Sequence, residues 1–407
     1  MPSWTPPTRL LLGPGPSMVH PRVLRAMASP LIGHLDPRFL ELMDIIQEQL
    51  RWLFHTRNAF TIAVSGTGSA GMETVIANLV EPGDSIIVGV NGVFGERIAT
   101  MIQRCGGQPI RIDAPWGSPI ALEHIEYHLT HGAPIKALAI VHAETSTGVL
   151  QPLAELGRLC RAHDALFIVD AVTSLGGIPL DVDAWHIDAC YSATQKCLSC
   201  PPGLAPLTLS DRALAAIRSR TTPCHSWYLD CLLVADYWAD SKRTYHHTAP
   251  ISMLYALCEA LCLIQEEGLE ARFARHRRHS MALLAGLETL GFHPLPPTDY
   301  RLPSLTCVQL PPNLDEQRIR QQLLEEYGIE IGAGLGPLSG KVWRIGLMGE
   351  SSRIEYVFTL LLALEEVLSQ AGVKYRPGEA ILAAAQGYQR LIATDYLRDS
   401  ENLQTGI

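Results

Sequence analysis

The sequence has none of the marks of a nucleic-acid-binding or membrane protein. Its 407 residues include 32 Lys and Arg against 41 Asp and Glu, which gives a formal net charge of −9. An acidic chain without a block of Lys and Arg has little attraction for phosphate backbones, so we expect no nucleic-acid partner. The apolar stretch 357–364 ends at Glu365 and Glu366 and is too short to span a bilayer, so we expect no membrane partner.

Signals for export or for organelles are also lacking. The first residues contain no basic region followed by an apolar one. The last four residues, Gln404-Thr405-Gly406-Ile407, do not form a peroxisomal tripeptide signal. Ten cysteines are spread irregularly along the chain, which is typical of reduced thiols in a cytosolic compartment. We therefore predict a cytoplasmic protein.

Short apolar runs alternate with helical patterns over residues 55–210. The runs are Ala59–Val64, Ser85–Val90, Ala137–Val141, Leu166–Val169, Ile187–Ser192 and Ala205–Leu209, with helical patterns that include Met72–Leu79 and Phe94–Arg104. Nearly unbroken apolar strands separated by helices predict an α/β domain whose mostly parallel sheet is covered by helices on both faces.

A different pattern begins after about residue 250. A helical stretch runs over 251–290 with Gly268 as a break, and strands and helices then alternate to residue 370. We predict an N-terminal arm at 1–20, a large domain at 21–265, a smaller C-terminal α+β domain at 266–375 and a tail at 376–407. The tail contains one amphipathic stretch, 380–397, to which we assign no chemistry.

A glycine-rich segment, 65–73, lies between a predicted strand and a predicted helix. Backbone N–H groups and the helix dipole favour an anion at such a helix start, which predicts a phosphate site. Gly66, Gly68 and Gly71 match the spacing of a dinucleotide fingerprint, but the next strand ends at 89–92 without the acidic residue that a dinucleotide site needs. A packed turn without a ligand is the alternative.

Two further strand ends carry ionisable residues. Asp170 follows the apolar run 166–169, and Lys196 follows the run 187–192. Taken singly, Asp170 is consistent with a helix cap or a salt bridge, and Lys196 with a solvated loop. Together with the phosphate cradle they are the three groups that pyridoxal phosphate needs: an anion site, a carboxylate for the pyridinium nitrogen and an amine for a Schiff base.

These segments resemble the class V aminotransferases of the fold-type I pyridoxal-phosphate superfamily, most of all the alanine–glyoxylate and serine–pyruvate aminotransferases. The resemblance covers about residues 9–370. Besides the cradle, it rests on Gly13-Pro14-Gly15-Pro16-Ser17, Asn91-Gly92-Val93-Phe94-Gly95, Glu144-Thr145-Ser146-Thr147-Gly148, Val169-Asp170-Ala171-Val172, Ser174-Leu175-Gly176-Gly177, Gln195-Lys196, Tyr245-His246-His247-Thr248, Gly334-Leu335-Gly336-Pro337 and Arg344-Ile345-Gly346-Leu347-Met348-Gly349.

The resemblance implies a role for individual residues. Lys196 would hold the cofactor covalently and shuttle the substrate proton, and Asp170 would keep the pyridine nitrogen protonated. Arg344 would clamp the substrate carboxylate, with Gly15 and Thr145 beside the substrate. The other cofactor-binding residues would be Thr67, Gly68, Ser69 and Gln195 at the phosphate, Phe94, Thr145 and Val172 at the ring, and Tyr245 and Thr248 at the phosphate of the neighbouring subunit. Each active site would therefore need a homodimer.

Two positions depart from the family pattern. Phe94 stands where Trp is frequent, and it offers a smaller apolar face. Ser69 stands where His is frequent, which removes one cation near the phosphate. Both departures put the strength of cofactor binding in question.

The resemblance implies transfer of the amino group of a small amino acid, alanine or serine, to a 2-oxo acid, glyoxylate or pyruvate. The alternatives are a relative with a larger donor such as 3-hydroxykynurenine, a lyase on the same fold such as a cysteine desulfurase, and a non-enzymatic protein that retains the fold. A desulfurase needs a mobile nucleophilic Cys in the C-terminal domain, where Cys307 lies inside a predicted strand. The intact Lys196, Asp170 and Arg344 argue against a protein without activity.

Two other polar clusters have simpler interpretations. His246 and His247 are adjacent and lack the spacing of a zinc site, so we expect no metal. The four arginines between residues 272 and 278 are interpreted as the solvated face of a helix.

Overall fold

The apolar runs form one central sheet in a computed structural model, which describes residues 4–131, 134–238 and 243–390. The strands are, in chain order, β1 (Leu10–Leu11), β2 (Phe60–Ser65), β3 (Ser85–Val90), β4 (Gln108–Asp113), β5 (Ala137–Val141), β6 (Ala143–Glu144), β7 (Val149–Leu150), β8 (Leu166–Asp170), β9 (Ala189–Tyr191), β10 (Leu204–Leu209), β11 (His293–Pro294), β12 (Leu305–Gln309), β13 (Ile329–Glu330), β14 (Gly332–Ala333) and β15 (Val342–Gly346). The helices are α1 (Pro21–Met27), α2 (Pro37–Phe54), α3 (Gly68–Leu79), α4 (Val93–Arg104), α5 (Leu122–Thr130), α6 (Ala154–Ala162), α7 (Asp211–Arg218), α8 (Cys231–Trp238), α9 (Ile251–Glu267), α10 (Leu269–Thr289), α11 (Glu316–Glu326) and α12 (Ile354–Gln370).

The central sheet has seven strands in the order β2-β10-β9-β8-β5-β3-β4. The strands from β9 to β4 in this order are parallel, whereas β10 runs antiparallel to both β2 and β9. The segment 192–203 contains no helix, so it cannot make the crossover that parallel neighbours need, and β10 returns antiparallel. The prediction of an α/β fold with a mostly parallel sheet is confirmed.

The strands in the middle of the sheet are covered on both faces. Every residue of β5 and of β8 is buried, which explains why these segments are apolar without alternation. By contrast, β4 lies at the edge and exposes several of its residues. An edge strand can carry polar residues, and the mixed polar and apolar sequence of β4 therefore did not predict a strand.

The carboxyl ends of β3, β8 and β9 meet at one edge of the sheet. Asp170, the last residue of β8, lies in register with Val141 of β5 and Tyr191 of β9. Ligands of open α/β sheets bind at this edge, outside the strand ends. The loops that follow these strands carry Phe94, Val172 and Lys196.

The C-terminal part of the chain forms a second sheet of four antiparallel strands, in the order β11-β12-β15-β14. Its apolar side packs with α10, α11 and α12 around side chains such as Trp343 and Leu361, which are fully buried. The predicted helical stretch 251–290 is two helices, α9 and α10, that meet at Gly268 as expected. The N-terminal arm joins this part, because β1 pairs in parallel with β13.

The amphipathic stretch of the predicted tail is helical over residues 379–390. Ala380, Ala384 and Tyr388 are buried against the core of the C-terminal part. The Glu365 carboxylate accepts hydrogen bonds from the N–H groups of Gly378 and Ala380 at 2.8 and 3.0 Å, which caps the start of the helix. The rest of the stretch, 391–397, lies outside the described residues, and the predicted domain boundaries stay a prediction.

Candidate active site

The predicted phosphate cradle lies between β2 and α3. Gly68 is the first residue of α3, and a Cβ added to it would lie 2.9 Å from Ala193 Cβ and 3.3 Å from Val172 Cγ2. Thr67 precedes the helix without capping it through its side chain, and Thr67 and Ser69 are both exposed. The first N–H groups of a helix have no intrahelical partner, so this turn presents backbone donors to an anion.

Asp170 is buried where β8 ends, with 3% of its surface exposed. Its carboxylate accepts hydrogen bonds from the Val172 N–H at 2.9 Å and from the Tyr191 hydroxyl at 3.0 Å. Burial raises the pKa of Asp170 to about 6, although these two hydrogen bonds and the charge of Lys196 oppose the rise. Within the described ranges no Lys or Arg forms an ion pair with this carboxylate, so the salt-bridge alternative is wrong.

Lys196 lies in the loop after β9 and is half-buried. Its Nζ donates a hydrogen bond to the carbonyl of Pro14 in the N-terminal arm. Its side chain fills the space where Gly15 has no Cβ: an added Cβ would lie 2.7 Å from Lys196 Nζ. Burial and then the charge of Arg344 lower the pKa of Lys196 to about 8, which makes it a better amine nucleophile than a solvated loop lysine.

Arg344 lies in β15 with 7% of its surface exposed. Its Nε donates to the Ala333 carbonyl at 2.7 Å and its Nη1 to the Thr145 carbonyl at 3.3 Å. In the part of the chain that the structure describes, Arg344 forms no ion pair with a carboxylate. A buried guanidinium with unused donors is ready to bind an anionic ligand.

The loop between β9 and β10 also carries Gln195. Its backbone carbonyl accepts a hydrogen bond from the Ser17 N–H at 2.9 Å, which ties the N-terminal arm to the lysine loop. Its side-chain Oε1 is buried without a hydrogen-bond partner among the described residues. An unpartnered buried amide oxygen beside Lys196 is the kind of polar atom that a bound ligand satisfies.

Lys196, Asp170 and Arg344 lie close enough to act on one another electrostatically. The charges of Arg344 and Asp170 both act on the pKa of Lys196, the first lowering and the second raising it. A profile of the aminotransferase class-V family matches residues 10–344. The chain is a class V aminotransferase. Enzymes of this family use pyridoxal phosphate and transfer amino groups between amino acids and 2-oxo acids.

Known relatives of this aminotransferase cover nearly its whole length. It is 40% identical over 401 residues to the (S)-ureidoglycine–glyoxylate transaminase of Bacillus subtilis strain 168, with 94% of this chain and 96% of the relative covered. It is 42% identical over 371 residues to the alanine–glyoxylate aminotransferase of Callithrix jacchus, with 90% and 89% covered. A crystal structure of an alanine–glyoxylate aminotransferase from Nostoc sp. superposes with a TM-score of 0.88 and 50% identity over 90% of this chain and 97% of that one.

Phe94 is the residue expected to stack on the cofactor of this aminotransferase. Its backbone is held by Glu144, a residue to which the sequence assigned no role. Phe94 is the second residue of α4, and its N–H donates to the Glu144 carboxylate at 3.1 Å. The same carboxylate accepts from the Ser146 N–H at 3.0 Å and from the Ser146 hydroxyl at 2.5 Å. Gly92 has no side chain to cap α4, and a Cβ there would lie 2.4 Å from Glu144 Cδ. Glu144 and Ser146 therefore supply the cap from another part of the chain.

Tyr245 and Thr248 are both exposed on the protomer of this aminotransferase. Their hydroxyls lie 3.4 Å apart, and the Tyr245 ring lies 5.3 Å from that of His34. Among the described residues, no hydrogen bond joins either of them to the other predicted site residues. The structure thus brings together the predicted residues from the arm, the central sheet and β15, whereas these two lie exposed and apart from them.

Arg272 of the aminotransferase contradicts the interpretation of 272–278 as a solvated helix face. Its side chain is buried, pairs with Glu267 at 2.6 Å, and donates to the carbonyl of Gly176 at 2.8 Å and to that of Cys197 at 2.5 Å. It thereby supports the backbone directly after Lys196. Nothing in the sequence indicated this role. The run of arginines does not distinguish the buried Arg272 from Arg277, which lies on the same helix and is exposed.

Proposed function

We propose that this aminotransferase binds pyridoxal phosphate and moves the amino group of a small amino acid, alanine or serine, to glyoxylate or pyruvate. The observation that carries the proposal is the buried Arg344, which has free donors and no carboxylate partner in the described ranges, beside a lysine whose pKa is lowered to about 8. When bound, the cofactor supplies an electron-withdrawing pyridine ring that stabilises negative charge at the substrate α-carbon.

The donor set of the pocket fits this cofactor. Thr67, Gly68 and Ser69 offer backbone and hydroxyl donors for a phosphate at the start of α3, and the side-chain amide of Gln195 has N–H groups that can donate as well. Four further residues would suit the ring: Asp170 as the carboxylate for a protonated pyridine nitrogen, Val172 and Phe94 as apolar contacts, and Thr145 for the ring hydroxyl. The absence of a Cβ at Gly68 lets the start of α3 pack closely against Ala193 and Val172.

In this proposal Lys196 has two tasks. Its Nζ would hold the cofactor covalently and, once the substrate amine has displaced it, would carry the proton of the substrate α-carbon. The lowered pKa keeps a useful fraction of the amine unprotonated near neutral pH. Asp170 holds the proton on the pyridine nitrogen, because a carboxylate beside that nitrogen stabilises its charged form.

Arg344 binds the α-carboxylate through two parallel N–H···O bonds. The Thr145 and Ala333 carbonyls orient the guanidinium, and the missing Cβ of Gly15 leaves room for the Lys196 side chain. A small donor side chain is favoured by the names of the alanine–glyoxylate relatives, which also favour glyoxylate as the acceptor.

A second donor is favoured by one specific relative. The transaminase from Bacillus subtilis that matches 94% of this chain is named for (S)-ureidoglycine and glyoxylate. Both donors present an α-carboxylate and an α-amine to the same groups and differ only in the side chain, so the acceptor half of the proposal is common to both.

A panel of donors tests the proposal. Alanine, serine, (S)-ureidoglycine, 3-hydroxykynurenine and aspartate are each supplied with glyoxylate or pyruvate, and kcat/KM is measured. We expect alanine or serine with glyoxylate to give the highest value. A clear preference for 3-hydroxykynurenine or aspartate would contradict the proposal, and a preference for (S)-ureidoglycine would select the second donor.

The same panel is run with Arg344→Lys. An ammonium cannot make the planar two-bond contact, so we expect a loss of roughly 2–4 kcal/mol in transition-state binding on both half-reactions. Arg353→Lys, at an arginine paired with Glu350 in the following segment, is the matched control and should leave kcat/KM unchanged. Normal substrate affinity in Arg344→Lys together with loss of bound cofactor would instead indicate a structural role for Arg344.

The lyase alternative has no support in the arrangement of thiols. Cys307, the one cysteine after residue 266, lies in β12 with 2% of its surface exposed. Burial raises its pKa to about 12. A thiol held in a strand and protonated at neutral pH is unsuited to act as a mobile nucleophile.

We further propose a homodimer in which Tyr245 and Thr248 reach the cofactor phosphate of the neighbouring subunit, and a cytoplasmic location. Their exposure on the protomer supports the first part. Within the described ranges, no helix is both long and apolar enough to cross a membrane. Fractionation of cells that express the protein would test the location.

A further inference from the structure

We propose that Arg97 binds the phosphate group of the cofactor, beside Ser69, as the cation of the phosphate cradle. The inference rests on the proposed use of pyridoxal phosphate and adds a binding residue to that site. Neither the motifs of the sequence nor the role assignments above include Arg97.

The position of Arg97 follows from helix geometry. It lies one turn after Phe94 on α4, so both side chains project from the same face of the helix. The guanidinium carbon lies 5.1 Å from the centre of the Phe94 ring, and Nη1 donates to the Ser69 hydroxyl at 3.4 Å. One side chain thus bridges the ring-stacking residue and the cradle.

The other cations near the site have other partners or other roles in the proposed function. Lys196 donates to Pro14, and Arg344 donates to Ala333 and Thr145. Arg111, which lies in the neighbouring strand β4, pairs with Glu96 at 3.0 Å and with Asp113 at 2.7 Å.

Arg97 differs from these neighbours in its partners. The described part of the chain gives it no carboxylate, and the Ser69 hydroxyl is its one hydrogen-bond partner there. A guanidinium has five N–H donors, so most of them remain for a ligand. The exposed position keeps Arg97 charged and solvated until an anion binds.

Electrostatics agree with this geometry. Burial dominates the raised pKa of Asp170, and among the charges that oppose the rise is that of Arg97. The guanidinium therefore lies within electrostatic reach of the Asp170 carboxylate.

A phosphate at this site needs such a cation. The start of α3 supplies about half an elementary positive charge, whereas a phosphate monoester carries about −1.5 to −2 at neutral pH. Thr67 and Ser69 are neutral. A guanidinium can form paired hydrogen bonds to two phosphate oxygens, and stacking on the Phe94 ring restricts its orientation before the ligand arrives.

The test compares pyridoxal phosphate with pyridoxal, which lacks the phosphate, on the apoenzyme of the full chain. Affinity is measured by absorbance titration and by equilibrium dialysis. We expect Arg97→Gln to weaken binding of pyridoxal phosphate by roughly tenfold to a hundredfold, the range for losing a charged hydrogen bond. Pyridoxal should bind equally well to both proteins, because it has no phosphate for Arg97 to contact.

Two controls accompany Arg97→Gln. Arg104→Gln changes an arginine in the last turn of the same helix and should leave both affinities unchanged. Inorganic phosphate should compete with pyridoxal phosphate less effectively in Arg97→Gln than in the unaltered protein. Arg97→Lys, which retains the charge, should recover part of the lost affinity and serves as the second variant if Arg97→Gln does not fold.

The outcomes separate this inference from the proposed function. If the unaltered apoenzyme does not bind pyridoxal phosphate, the proposed function itself is wrong. If the unaltered apoenzyme binds pyridoxal phosphate and Arg97→Gln binds it with the same affinity, the inference is overturned. Equal losses for pyridoxal phosphate and pyridoxal would also overturn it, because they would indicate a structural role for Arg97.

Discussion

The Lys196 amine has a pKa lowered to about 8, chiefly by burial and then by the charge of Arg344. Only the unprotonated amine attacks an aldehyde, so the rate at which the apoenzyme combines with pyridoxal phosphate should rise roughly tenfold per pH unit below that value and level off above it. Stopped-flow absorbance measurements over the neutral to alkaline range give the midpoint.

The pH experiment has two internal checks. Arg344→Gln removes a neighbouring positive charge, so the midpoint should move to higher pH. N-acetyl-lysine, whose amine has its ordinary pKa near about 10.4, should show no plateau in the same range. A midpoint near that ordinary value in the unaltered protein would contradict the geometry described for Lys196.

Asp170 is predicted to hold the proton on the pyridine nitrogen of the bound cofactor. Asp170→Asn keeps the size of the side chain and the hydrogen bond from Val172 but removes the negative charge. We expect a loss of roughly 10²-fold or more in the rate of each half-reaction, the scale of losing one strong electrostatic stabiliser. Single-turnover absorbance measurements determine both rates.

Tyr191→Phe is the matched control for Asp170→Asn. It removes the hydroxyl that donates to the Asp170 carboxylate at 3.0 Å but leaves the charge in place. Its effect should be much smaller than that of Asp170→Asn. Near-normal turnover in Asp170→Asn would show that the carboxylate is not needed for the chemistry.

At the scale of elements, α4 depends on a cap that comes from outside the helix. The Glu144 carboxylate accepts from the Phe94 N–H and from Ser146, and the Ser146 hydroxyl accepts from the Val93 N–H at 3.0 Å. Burial raises the pKa of Glu144 to about 7, against the effect of these hydrogen bonds. The start of α4, and with it the residue Phe94, is therefore held by two buried side chains, Glu144 and Ser146.

Glu144→Gln tests this cap. An amide has one acceptor oxygen where the carboxylate has two, so either the Phe94 N–H or Ser146 loses its partner. We expect the free energy of unfolding to fall by about 1–3 kcal/mol, the cost of one unsatisfied buried polar group, as measured by urea denaturation. Cofactor affinity should fall as well, because Phe94 is less well held.

A control for Glu144→Gln is Glu96→Gln, which changes an exposed carboxylate in the first turn of the same helix. Its effect on stability should stay within about 0.5 kcal/mol. If Glu144→Gln were as stable as the unaltered protein and bound the cofactor equally well, the cap would not be what positions Phe94.

A second link between elements lies in the loop between β9 and β10, which also carries Lys196. Ser199 is in the left-handed region with φ +51°, and its hydroxyl accepts from the Glu350 N–H at 2.7 Å and contacts the Ser17 hydroxyl at 3.1 Å. Gly349 packs directly on it, since an added Cβ would lie 2.0 Å from Ser199 Oγ. The N-terminal arm, the lysine loop and the segment after β15 are thus joined at one hydroxyl.

At the scale of the whole molecule, a patch of apolar side chains around α8 is left uncovered. Trp227, Tyr228, Leu232 and Leu233 expose between 37% and 62% of their surfaces, and the exposed Tyr245 follows nearby in the chain. Other apolar residues of the same segment, Leu229, Tyr237 and Trp238, are buried within the protomer. The exposed members fit a contact with a second copy of the chain.

Mixing two inactive variants tests the shared-site dimer. In a dimer of Lys196→Ala with Tyr245→Ala, one of the two sites contains an intact Lys196 from one chain and an intact Tyr245 from the other. Unfolding and refolding an equal mixture should restore about a quarter of the unaltered activity, because half of the random dimers are mixed and each mixed dimer has one complete site. Activity is measured per total chain.

Two outcomes would contradict the shared-site dimer. The first is a mixture that is no more active than its components. The second is a fully active monomer by light scattering. As a surface control, Leu232→Asp with Leu233→Asp should weaken the dimer, whereas Leu362→Asp, at a more exposed leucine on α12, should not.

The polar contacts between distant segments escaped prediction. Glu144 is the first residue of the motif 144–148, and Arg97 lies two positions after the motif 91–95. Neither motif indicates a role for them. Their partners, Phe94 and Ser69, lie 50 and 28 positions away. Pattern within one segment predicts which face of an element is buried, but it carries no information about which distant polar group a side chain meets.

The sequence by itself determined the class of fold and predicted the reacting residues. Apolar runs of strand length between helical patterns require a sheet covered on both faces, and a lysine and an aspartate after two such runs must share the edge where parallel strands end. Tertiary structure alone decided that Arg272 is buried beneath Lys196, that α4 is capped by Glu144 and that Arg97 faces the phosphate cradle. Hydrophobic periodicity is a local property, whereas the partners of charged groups depend on how the elements pack.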